Sequence, residues 1–102
     1  MRPEASDNQA IASPQFTDKQ GQYLAFIWAY TQINRRSPAE ADFERYFEVT
    51  APSVHQMLKS LALLGLIQKT PRVARSITLN VPPEALPILG ANQTFKTSVV
   101  RY

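Results

Sequence analysis

Thr50-Ala51-Pro52-Ser53-Val54-His55-Gln56-Met57-Leu58-Lys59-Ser60-Leu61-Ala62-Leu63-Leu64-Gly65 is the stretch that decides the fold. Thr50 can accept an orphan backbone N–H at a helix start, Pro52 suits a first turn, and Gly65 ends the helix as a C′ glycine. At about 100° per residue, Val54, Met57, Leu58, Leu61 and Leu64 fall on one inward face. Pro52, His55, Gln56, Lys59 and Leu63 fall on the outward face, which holds no acid. The spacing predicts a helix over 51–64 with an apolar side and a polar, basic side.

Upstream, Ser37-Pro38-Ala39-Glu40 reads as the start of a second, shorter helix. Ser37 would be its N-cap, Pro38 its first residue, and Glu40 the partner that completes a capping box. Phe43 and Phe47 mark its buried side, and Ala41 is small enough to sit between helices. It stops near Glu48, two or three residues before the next helix, so the two must cross steeply. Apart from Glu40 in its cap, the acids Asp42, Glu44 and Glu48 read as a solvated face.

A first helix begins at Phe16-Thr17-Asp18, capped by Thr17 or Asp18, and runs to about Asn34. Leu24, Ile27 and Thr31 form its core stripe, flanked by Tyr23 and Tyr30. Phe26, Trp28 and Ile33 widen the stripe beyond one face. The excess needs a cover, either the chain's own tail or a second subunit. Phe26, Trp28, Tyr30 and Ile33 are therefore the candidate interface, and a homodimer is expected.

Beyond Gly65 the apolar period changes to two. Leu66 to Lys69 and Ser76 to Val81 read as strands, joined by Thr70-Pro71-Arg72-Val73-Ala74-Arg75. The order is helix, helix, short turn, helix, hairpin. It predicts an α+β, mostly helical domain: a three-helix winged helix-turn-helix with a C-terminal β-hairpin wing. With 102 residues and 44% hydrophobic content, the chain can build one core. Residues 1–15, poor in large aliphatics, read as a flexible arm. Residues 16–81 form the domain. Residues 82–102 form a proline-rich tail that could pack on the first helix or on a second subunit.

Charge is unevenly placed. Residues 1–48 hold five bases and seven acids, whereas residues 49–102 hold six bases and one acid, Glu84. A field of that sign favours a polyanion, most often nucleic acid. Gln56 can donate to and accept from adenine, Lys59 can reach guanine acceptors or a phosphate, and His55 can donate to either. In the hairpin, Lys69, Arg72 and Arg75 suit phosphates or a narrow minor groove. Arg35 and Arg36, after the first helix, are further phosphate candidates. Set against this is a plain surface helix with a solvated basic turn, as in a winged-helix protein-interaction module that binds no DNA.

Other classes are disfavoured. Without cysteine there is no disulfide, thiolate metal site or thiol nucleophile. The single histidine has no clustered carboxylates to build a metal site, and three glycines make no phosphate loop. No catalytic residues, cofactor or metal are expected. The longest apolar run, Tyr23 to Tyr30, is short of the roughly 20 residues of a membrane span. A cytoplasmic location follows as the expectation.

Three stretches resemble the DNA-binding domain of LexA-type repressors: Phe16-Thr17-Asp18-Lys19-Gln20 with Leu24 and Ile27; Ser37-Pro38-Ala39 with Phe43; and Pro52-Ser53-Val54-His55 with Leu58, Leu61, Gly65-Leu66-Ile67 and Ala74-Arg75-Ser76-Ile77. The resemblance implies a bacterial regulator binding double-stranded DNA, with recognition positions at Thr50, Ser53, His55, Gln56 and Lys59. Such repressors also carry a self-cleaving protease domain that dimerises them. A chain ending at Tyr102 is expected to lack its serine and lysine, and Gly90-Ala91 is not read as a cleavage site. Two positions where this family often uses glycine hold Glu48, before the recognition helix, and Arg72, in the wing.

Overall fold

The computed structural model describes residues 16–90. Helix α1 spans Asp18–Asn34. Its start is set by a reciprocal pair: Gln20 donates its backbone N–H to the Thr17 hydroxyl at 3.1 Å, and Thr17 N–H donates to Gln20 Oε1 at 2.9 Å. Helix α2 spans Glu40–Phe47 and helix α3 Ala51–Leu63. Strand β1, Ile67–Gln68, pairs antiparallel with β2, Thr78–Leu79, with Ile67 opposite Leu79 and Gln68 opposite Thr78. The architecture is the winged helix-turn-helix that the order of elements predicts.

The start of α2 differs from the expected one. Ala39, not Ser37, is the N-cap, and Asp42 occupies the third helical position assigned to Glu40. Asp42 Oδ2 accepts the Ala39 N–H at 2.8 Å. The Ser37 hydroxyl is used elsewhere, donating to Pro38 O and accepting the Ile77 N–H at 3.1 Å. Ala41 is exposed rather than wedged between helices, and Asp42 is buried rather than solvated.

In α3, Val54, Leu58 and Leu61 are buried and Met57 is partly so. Leu64 leaves the inward stripe because the helix ends before it, and its side chain is 57% exposed. Gly65 then adopts φ +79, and Leu66 N–H reaches back to Leu61 O at 2.9 Å. Both strands are shorter than the sequence suggests. At the loop end the Thr70 N–H pairs with Ser76 Oγ instead of with backbone, at 3.0 Å. At the open end, Asn80 N–H donates to Leu66 O and its side-chain amide to Gly65 O.

The core joins α1, α3 and the hairpin through Leu24, Ile27, Leu58, Leu61, Ile67 and Ile77. Between α1 and α2 it is aromatic. Tyr23 stacks on Phe47 at 4.4 Å between centroids, and Phe26 packs on Phe43 and Tyr46 at 5.0 and 4.8 Å. The excess apolar surface of α1 is thus largely covered by rings from α2. Phe26 is buried in this stack, and Tyr30 is held half-buried at its edge. Trp28 and Ile33 stay exposed.

After β2 the chain makes a 3-10 turn at Pro83–Ala85 and returns to α1. The buried Gln22 donates to Ile88 O at 3.0 Å and accepts the Gly90 N–H at 2.6 Å. Gly21 permits the approach, since a Cβ there would meet Pro87 Cγ and Phe16 Cε1 at 3.0 Å. The proposed arm 1–15 and the apolar end of the tail, 91–102, lie outside the described residues.

Candidate nucleic-acid interface

Thr50 caps α3, accepting the Ser53 N–H at 3.4 Å and donating to Ser53 Oγ at 3.1 Å. This fixes the first turn and leaves Ser53, His55, Gln56 and Lys59 exposed along one side. The turn into α3 passes through Glu48, whose φ of +56 is left-handed backbone.

The wing lies beside that face. His55 Nδ1 of α3 and Lys69 Nζ at the end of β1 each sit 3.8 Å from the same oxygen, Oε2 of Glu40. Glu40 therefore stands between α3 and the wing, where sequence reading gave it only a capping role. It also places one acid within a surface whose own sequence, 49–83, has none. Beyond Lys69 the loop turns at Arg72, exposed and at φ +65. The Ser76 hydroxyl closes the loop, 2.8 Å from Val73 O and 3.2 Å from Thr70 O. Between the loop and the start of α2 lies a cleft of about 260 Å³ lined by Ala39, Glu40, Lys69, Arg72 and Val73, among others.

Arg75 does not stand with the other bases. Its guanidinium turns inward and donates from Nη1 to Tyr30 Oη at 3.0 Å, Ser37 O at 3.2 Å and Asp42 Oδ2 at 3.2 Å. Burial alone would raise the Asp42 carboxyl, but the Ala39 N–H, the Tyr30 hydroxyl, Arg75 and Arg45 together hold it below its ordinary value. Of the basic residues singled out in the sequence, Lys59, Lys69 and Arg72 thus border one surface, and Arg75 is withdrawn from it. Arg35 and Arg36 are exposed two residues and one residue before Ser37, near the base of the wing.

Comparison with known proteins places this geometry. No family model matches the chain. Over 78 residues, 74% of its length, it is 34% identical to a LexA repressor of Thermosipho africanus, and over 76 residues, 72% of its length, 34% identical to one of Thermosipho melanesiensis. The chain carries a LexA-type winged helix-turn-helix domain. It spans about two fifths of the length of these curated relatives, 39% and 38% respectively.

Within this LexA-type domain, Glu48 and Arg72 replace glycines expected from the resemblance, and both do adopt positive φ. The backbone path is kept and the cost of a Cβ in left-handed backbone is accepted. Among the residues that sequence reading missed are Asp42, Tyr30 and Ser37 as a polar hub, and Gln22 as the anchor of residues 88–90. The only signal for Asp42 is its position one residue before Phe43, on the edge of the buried side of α2. No helix among the described residues is long and apolar enough to cross a membrane.

Proposed function

We propose that this chain binds double-stranded DNA in a sequence-specific manner and acts as a transcriptional repressor. The observation that carries the reading is the shared surface of α3 and the wing. Ser53, His55, Gln56 and Lys59 are exposed on a capped helix, with Lys69 and Arg72 beside them, in a domain related to proteins named LexA repressors. In this reading α3 enters the major groove. Gln56 reads a base edge through its paired donor and acceptor, and Lys59 takes a guanine acceptor or a phosphate. Lys69 and Arg72 hold the backbone or the adjacent minor groove, and Arg35 and Arg36 lengthen the phosphate contact. Repression follows by occlusion of a promoter, with no bond made or broken.

A module of this size makes few base contacts, and two copies on a palindrome double the length read. Trp28 and Ile33 are the part of the α1 surface that remains open for a second copy. Incubating the chain with a pool of random duplexes and sequencing what is retained tests the function. The reading expects an enriched motif, and half-sites one or two helical turns apart if the protein binds as a dimer. A single short motif would keep DNA recognition without the dimer. No enrichment would overturn the proposal in favour of a protein-interaction module. Within the selected site, Gln56→Ala should relax selectivity at one position, whereas Arg72→Ala should weaken all sequences alike and lower the salt slope by about 1.

A further inference from the structure

We infer that Arg75 is a positioning residue that locks the wing onto the helices and acts on DNA only through the placement of Lys69 and Arg72. The inference rests on the reading that the wing faces DNA.

The sequence puts Arg75 in a basic loop, where a flexible phosphate contact is the ordinary expectation. The geometry gives it another task. One guanidinium nitrogen is shared among partners from three segments: Tyr30 near the end of α1, the Ser37 carbonyl in the α1–α2 linker, and Asp42 in α2. The guanidinium carbon also lies over the Tyr30 ring, 5.8 Å from its centroid. Asp42, 7% exposed, is itself held by the Ala39 N–H, the Tyr30 hydroxyl and Arg45. A second link runs parallel to the first, from Ile77 N–H to the Ser37 hydroxyl. The wing is thus tied at Arg75 and at Ile77 to one linker residue, Ser37, and through Asp42 to the helix that follows it.

The backbone of Arg75 supports the same reading. Its φ of +55 is left-handed, a conformation costly for a residue with a Cβ and kept where surrounding contacts hold it. To turn Nη1 to a phosphate, Arg75 would have to give up Tyr30, Ser37 and Asp42 together and leave the buried Asp42 with Arg45 as its remaining cation among the described contacts. Arg72, at the exposed tip, has no such commitment among the hydrogen bonds and ion pairs described.

The two roles differ in the sign of one substitution. Asp42→Asn removes a negative charge, so simple electrostatics predicts tighter DNA binding. A positioning role predicts weaker binding, because the wing loses its anchor. Two measurements on the full chain separate these, with the milder Tyr30→Phe made in parallel in case Asp42→Asn fails to fold. Amide hydrogen exchange should accelerate about tenfold at Val73 and Ile77, while Leu24 and Ile27 in the core of α1 keep their protection. In duplex binding, the fold-loss caused by Arg72→Ala should shrink to under half once Asp42→Asn or Tyr30→Phe has freed the wing. A variant that was only less stable would leave that fold-loss unchanged. Unaltered wing exchange would overturn the inference, as would tighter binding by Asp42→Asn with the Arg72→Ala effect intact. If the unmodified protein binds no duplex at all, the DNA reading fails and the exchange result alone decides whether Arg75 anchors the wing.

Discussion

The joint between α1 and α2 and the joint between the wing and the helices are made of different chemistry. The first is a stack of rings, with Phe43 fully buried between Tyr23 and Phe26. Its strength comes from apolar area, which is indifferent to direction. The second is a polar seam in which Arg75, Asp42, Tyr30 and the Ser37 carbonyl and hydroxyl each have a named partner at a defined distance. Its strength depends on every partner being present, since a missing one leaves another buried and unsatisfied. The aromatic joint holds the domain together, and the polar seam sets where the wing points.

Breaking the aromatic joint should have the largest effect. Phe43→Ala empties a site with no exposure and should cost about 3–5 kcal/mol, read as a lower urea midpoint. In so small a domain the wing should be lost in the same transition.

Breaking the polar seam should have a smaller effect, and one that depends on pH. The Asp42 carboxyl is held below its ordinary value of 3.8 in the folded chain. Its contribution to stability is therefore complete above that unfolded value and is lost as pH falls through the lower folded one. Asp42→Asn should be the less stable protein at neutral pH, with a shallower loss on acidification. Thermal melts of the two proteins should converge toward low pH, and parallel curves would show that Asp42 is not the titrating group.

The smallest effect sharpens the contrast from outside both joints. Glu48 bears left-handed backbone at φ +56 between α2 and α3. Glu48→Gly should raise stability by about 0.5–1 kcal/mol in chemical denaturation, leaving both joints as they are. A loss of stability would mean that the Glu48 side chain has a role its exposed position does not suggest.

The same contrast explains how much was legible in the sequence. Apolar periodicity and caps gave α1 and α3 nearly to the residue, and the change of period at Gly65 gave the hairpin. The outward set of α3 followed from angular spacing alone. The polar seam did not follow, because a hydrogen bond between Arg75 and Tyr30 spans 45 positions and leaves no local pattern. Ser37 misled for a related reason. A serine before proline and three residues before glutamate reads as a local cap, yet its hydroxyl serves Ile77, 40 residues away. The surplus of rings on α1 suggested an external partner because the matching rings, Tyr46 and Phe47, lie on a short helix whose angle to α1 sequence alone does not specify.

The most direct test of the account is to titrate a selected duplex into isotope-labelled protein and follow each backbone amide. The account predicts the largest shifts along Thr50 to Lys59 and from Lys69 to Val73, with only small changes in the middle of α1. Shifts centred instead on Trp28 and Ile33, with α3 and the wing unaffected, would contradict it.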